Sequence, residues 1–141
     1  MDLKIAKETL INNQYTCVIC RGEEQYTSTF RGVKPLVKWV SEGKDFTGFS
    51  AADKVIGKAT AFLYVILNVK VVYAAVISQS ALKVLEEADI EVEYDTLVEH
   101  IINRKGYCIC PFETTVLNIS AKEEAYEAIL AKMKEMNITL E

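Results

Sequence analysis

The chain has no apolar run long enough to cross a bilayer. Its longest extends from Ala59 to Leu67 and is broken only by Thr60, whereas a spanning helix takes roughly 20 residues. No signal peptide is expected either, because Met1 to Glu8 is charged throughout and periodic like a helix. These absences lead us to expect a cytoplasmic protein with no membrane partner. There is no basic excess: the formal net charge is −4. That argues against general nucleic-acid binding, which needs a surplus of Lys and Arg to engage phosphates. A local basic pocket for one small anion stays open. Low-complexity tracts, long charge runs and repeats of solenoid period are also lacking.

What is present is the composition of an ordinary globular chain. Half of the 141 residues are hydrophobic and 26% are charged, which fits one domain with one core over 1–141. No linker divides it. The four cysteines are expected to be reduced thiols.

Hydrophobic periodicity predicts a helix over Asp2 to Asn12. Tyr15 to Cys20 and Gln25 to Thr29 read as two strands joined by the turn Arg21-Gly22-Glu23-Glu24, a β-hairpin. A helix follows over Val33 to Ser41, with Pro35 in its first turn and Gly43 after its end. Ser50 reads as the N-cap of a helix running to Leu67, with Asn68 as its stop. Lys70 to Ile77 is nearly all apolar, as in a strand covered on both faces. Ser78 or Ser80 opens another helix, to about Ala88. Glu91 to Tyr94 is a short strand, and Asp95 caps a helix to about Asn103. Pro111 suits a first helical position, and Ser120-Ala121-Lys122-Glu123 reads as a capping box. The resulting α-β-β-α-β-α-β order implies an α/β fold with a mixed sheet.

This order resembles the cytidine-deaminase-like superfamily, which implies a three-layer α-β-α domain. Those enzymes carry His-Ala-Glu (or Cys-Ala-Glu) at the start of the helix after the hairpin. They carry Pro-Cys-x-x-Cys where the next strand enters its helix. The His and two Cys hold zinc, and the Glu moves the proton. Ala51-Ala52-Asp53 falls on the first motif and Ser78-Gln79-Ser80-Ala81 on the second. Ala51, Ser78 and Ala81 then replace the three ligands, and only Asp53 keeps a carboxylate. No metal, no cofactor and no zinc-dependent deamination are therefore expected. More narrowly, the chain looks like a bacterial family of unknown function that keeps this fold without the metal. The matching stretches are Arg31 to Leu36, Gly48 to Ala59, Ile102 to Arg104 and Cys110 to Glu113.

Within that frame the expected ligand-binding residues are Arg31, Lys34, Ser50, Asp53, Lys54, Gly57, Lys58 and Ser78. On a helix, Asp53 and Gly57 would share one face and Lys54 and Lys58 another. The lysines with Arg31 would form a small cationic cluster suited to a phosphate or carboxylate. The bland alternative is packing at Gly57 and solvated lysines. Cys17-x-x-Cys20 with Cys108-x-Cys110 does not favour a zinc site, since residues three apart in a strand face opposite sides. Cys110 would stand at a helix N-cap, where a thiol can become a nucleophile, although Glu113 opposes this. His100 is expected on a helix in a structural role. Three functions follow: a zinc-free protein binding a small anionic or nucleotide-like ligand, a zinc-independent enzyme using Asp53 and Cys110, or an interaction protein whose pocket is filled. A homodimer is compatible with all three.

Overall fold

The structure, a computed structural model, describes residues 2–30, 33–101 and 111–138. It opens with helix α1 (Asp2–Asn12), then strands β1 (Cys17–Arg21) and β2 (Glu24–Ser28). Gly22-Glu23 closes the hairpin in two residues, with Arg21 opposite Glu24. Gly22 takes φ +59° there, a value that side chains with a Cβ adopt only at a cost.

Helix α2 (Lys34–Ser41) follows, with Pro35 in its first turn. Then come β3 (Ser50–Ile56), α3 (Lys58–Leu67), β4 (Val71–Ser78), α4 (Gln79–Glu87) and β5 (Glu91–Val98). The short α5 (Pro111–Thr115) and α6 (Lys122–Glu135) complete the order. The five strands form one mixed sheet in the order β2-β1-β3-β4-β5. β1 is antiparallel to β2 and β3, while β3, β4 and β5 are parallel.

Two apolar clusters fill the two faces. On one, α1 lays Ala6 and Leu10 against Val18, Ala52 and Tyr73. On the other, α2, α3, α4 and α6 pack over Ile19, Ala51, Val72 and Ile77. The neighbours Ala51 and Ala52 point to opposite faces, as consecutive strand residues must. Their small side chains let helices approach the middle strand from both sides.

Three expectations are corrected. Ser50 to Ile56 is not the first half of a helix but the central strand, paired with β1 on one side and β4 on the other. Alanine favours helices, but burial on both faces decides, and the helix begins only at Lys58 with Gly57 as its N-cap. Asp95 does not cap a helix: β5 continues to Val98 because Thr96, Leu97 and Val98 pair with β4. His100 therefore follows a strand rather than lying on a helix. Finally, α6 has Ala121 as its N-cap with no side-chain bond, so the capping box at Ser120 is not formed. Asn68 does stop α3, at φ +65°.

Candidate functional site

The expected binding residues separate into distinct places once Ser50–Ile56 is a strand. Ser50 lies at the start of β3 and Ile56 at its end, about 20 Å apart at the usual strand rise. Ser50 is buried and its hydroxyl has no partner among the described residues. Lys54 is exposed on the strand and does not share a helix face with Lys58. Lys34 starts α2, with its ammonium 4.5 Å from the ring centre of Phe30. Arg31 and Cys110, like Cys108, lie outside the described residues.

Asp53 points from the middle strand under α3. Tyr64 donates a hydrogen bond to its Oδ2 at 2.6 Å, and the Val55 N–H donates to Oδ1 at 3.2 Å. On the neighbouring strand Cys17 stands opposite Asp53, and its Sγ is 3.2 Å from the Tyr64 hydroxyl. Three acidic groups are thus linked in a dry interior. Burial, only partly offset by the hydrogen bonds from Tyr64, Val55 and Lys54, pushes the Asp53 carboxyl up to about 7. Burial and the Asp53 charge raise the Cys17 thiol and the Tyr64 hydroxyl well above their ordinary values. Cys20 faces the α1 side, where its thiol donates to the Asp2 carbonyl at 3.3 Å. Cys17 and Cys20 thus face opposite sides of the sheet.

Gly57, Lys58 and Ser78 do come together, at the carboxyl ends of the parallel strands β3 and β4, where Ile56 pairs with Ile77. The neighbouring helix starts are α3 at Lys58 and α4 at Gln79, not Ala51–Asp53. Ser78 caps α4 by accepting the Ala81 N–H at 3.2 Å. The first N–H of α3, on Lys58, is taken by the Glu113 carboxylate through Oε2. A Cβ on Gly57 would lie 2.8 Å from that oxygen and 3.2 Å from Ile101 Cγ1. A side chain there would push on that carboxylate, so the glycine is explained by a close approach and not by its backbone angles. Glu113 is buried, and its second oxygen, Oε1, has no partner among the described residues. The Lys58 ammonium reaches forward to the Leu117 carbonyl at 2.9 Å.

Beyond Lys58 a groove of about 430 Å³ opens between α3, α4 and the start of α6. Phe62, Val65, Val84, Ala88 and Ile119 give it an apolar lining. Lys58, Lys83 and Lys122 bring three ammonium groups, with Ser80, Ser120 and one carboxylate, Glu87. No ion pair within 4 Å engages any of these lysines among the described residues. Partial burial lowers the Lys58 pKa. Asp53 is on the other side of α3, since Tyr64 turns to the sheet while Phe62 and Val65 turn to the groove. Of the described residues expected from sequence, Lys58 alone lines the groove.

Fold and site together define a mixed-sheet α/β protein with a lysine-lined groove beside the carboxyl ends of its parallel strands. A family model described as a domain of unknown function (DUF1893), TM1506, matches residues 5–133, and the chain belongs to that family. It is similar to the crystal structure of a DUF1893 family protein, TM1506, from Thermotoga maritima. That similarity runs at 27% identity with a TM-score of 0.87, covering 93% of this chain and 89% of the other. No curated protein matches the chain.

Proposed function

We propose that this protein binds a small anionic ligand in the groove between α3, α4 and α6, on a single three-layer domain of cytidine-deaminase-like fold without a zinc site. The carrying observation is the convergence of Lys58, Lys83 and Lys122 on one groove, with no counter-ion within 4 Å among the described residues. The protein is acidic overall, so three lysines brought together in one groove favour a bound anion. The deaminase-like reading is supported by the element order and by an antiparallel hairpin at one edge of a parallel sheet. In that frame the helix after the hairpin is α2, and the strand that enters its helix is β3. The two family motifs then fall near Val33-Lys34-Pro35 and Gly57-Lys58-Ala59-Thr60, not at Ala51–Asp53 and Ser78–Ala81. Neither stretch offers histidine or cysteine, so the donor set does not fit zinc. Lys58 belongs to this reading as a lining residue, with Gly57 and Ser78 beside it at the strand ends; Ser50 does not belong to it.

A second reading rests on Asp53. A buried carboxyl titrating at about 7 and hydrogen-bonded to a tyrosine has the properties of a general acid or base. In that reading the protein is a zinc-independent enzyme, with Cys110 as the proposed nucleophile. The position of Asp53 beneath α3, away from the groove, favours ligand binding over it.

A thermal-shift screen of inorganic phosphate, nucleotides, sugar phosphates and small carboxylates tests the proposal. At least one anion should raise the melting temperature. Lys83→Glu and Lys122→Glu should each remove that shift while leaving the unliganded melting temperature within a degree or two, since surface changes of this kind cost about 0.5 kcal/mol or less. If no anion stabilises the protein, the proposal fails and a filled-pocket interaction protein takes its place.

A further inference from the structure

We propose that the ligand of this groove is a phosphate monoester with a flat apolar body, of the size of a nucleoside 5′-monophosphate; this rests on the anion-binding reading above. The polar and apolar parts of the groove make separate demands. Among the described residues its cations are all lysines, with no arginine in the lining. A planar carboxylate is best gripped by the two-pronged guanidinium, whereas phosphate is well served by several point charges. Three ammonium groups face Glu87 in the lining and Glu113 beside Lys58, which leaves a positive surplus that suits an anion. The start of α6 adds donors, since its N-cap Ala121 supplies no side-chain acceptor and its first N–H groups face outward from the helix end. Glu123 and Glu124 in that turn are exposed and do not line the groove.

The lysines do not account for the rest of the lining. Phe62, Val65, Val84, Ala88 and Ile119 bring apolar side chains to the groove from α3, α4 and the approach of α6. A free phosphate ion would leave it bare. A base or aromatic ring laid on it would bury apolar area on both sides, which contacts to the lysines alone cannot supply. The volume of about 430 Å³ lies in the range of pockets that take one small organic molecule.

Titration calorimetry on the full chain at low salt, with AMP, ribose 5-phosphate, inorganic phosphate and adenosine, tests this. AMP should bind about tenfold or more tightly than ribose 5-phosphate or inorganic phosphate, with adenosine weaker than AMP. Ile119→Ala should weaken AMP and leave inorganic phosphate unchanged, while Lys122→Gln should weaken both. The comparison among ligands on the unmodified protein stands even if Ile119→Ala is poorly folded. Equal affinity for AMP and ribose 5-phosphate would overturn the apolar-body inference and leave anion binding intact. Binding by none of the four would overturn the phosphate-monoester inference, and the anion reading falls with it if the wider thermal-shift screen also finds no ligand.

Discussion

Asp53 shows how one residue acquires its chemistry from its place in the sheet. Lys54, one residue on, is exposed and solvated, whereas Asp53 is turned under α3 and desolvated. In the unfolded chain its carboxyl titrates at the ordinary 3.8, and in the folded one at about 7. Between those values the folded state holds a proton that the unfolded state has lost. The stability this group contributes is therefore complete below pH ~4, falls as pH rises toward ~7, and is level above that. Over about three pH units the loss is on the order of 4 kcal/mol. Asp53→Asn keeps an acceptor for Tyr64 and carries no charge. Urea unfolding from pH 4.5 to 8 should show a downward slope in the wild type, a flatter profile in the variant, and a more stable variant at pH 8. Parallel profiles would mean that Asp53 is ionised throughout.

At the scale of elements, α3 and α5 are joined through a single carboxylate. Glu113 caps α3 at the Lys58 N–H and lies so close to Gly57 that an added Cβ would force the carboxylate to shift. Gly57→Ala should displace that carboxylate and cost about 1–2 kcal/mol, the usual worth of a lost cap. Glu113→Ala should cost a similar amount. Because both break the same contact, the double variant should be less destabilised than the sum of the two, by ~0.5 kcal/mol or more in a denaturation cycle. Simple additivity would show that Gly57 and Glu113 act independently. This junction also marks the limit of what the sequence disclosed. The hairpin, α2, β4 and α4 were legible because turns, caps and apolar runs agreed with one another. β3 was not, because Ala51, Ala52, Val55 and Ile56 satisfy helix and strand patterns alike and only pairing with β1 and β4 decides. Tyr64 left one local clue, a hydroxyl inside an apolar run. Glu113 left none, since it lies more than fifty residues from its partner.

On the scale of the whole molecule, the groove could not be read from sequence at all, because Lys58, Lys83 and Lys122 meet only through the packing of three helices. The same long-range packing determines how the molecule should unfold. The sheet is shared by two apolar clusters, with Leu10 and Tyr73 in the smaller and Ile19, Tyr64 and Ile129 in the larger. β3 belongs to both, through Ala52 on one face and Ala51 on the other. Neither cluster can lose its packing without exposing one side of that strand, so we propose that residues 1–141 form one cooperative unit. The single tryptophan, Trp39, reports on the larger cluster, where its ring meets Phe46 edge-on at 5.8 Å between centroids. Far-UV dichroism reports on all helices, α1 included. Urea transitions followed by the two probes should coincide. Leu10→Ala removes a side chain that is 2% exposed on the α1 side. It should cost about 2–5 kcal/mol and move both transitions together, although Trp39 lies on the opposite face. If the variant produces an early dichroism phase and leaves the Trp39 transition in place, α1 is a separately melting layer and the single-unit proposal is wrong.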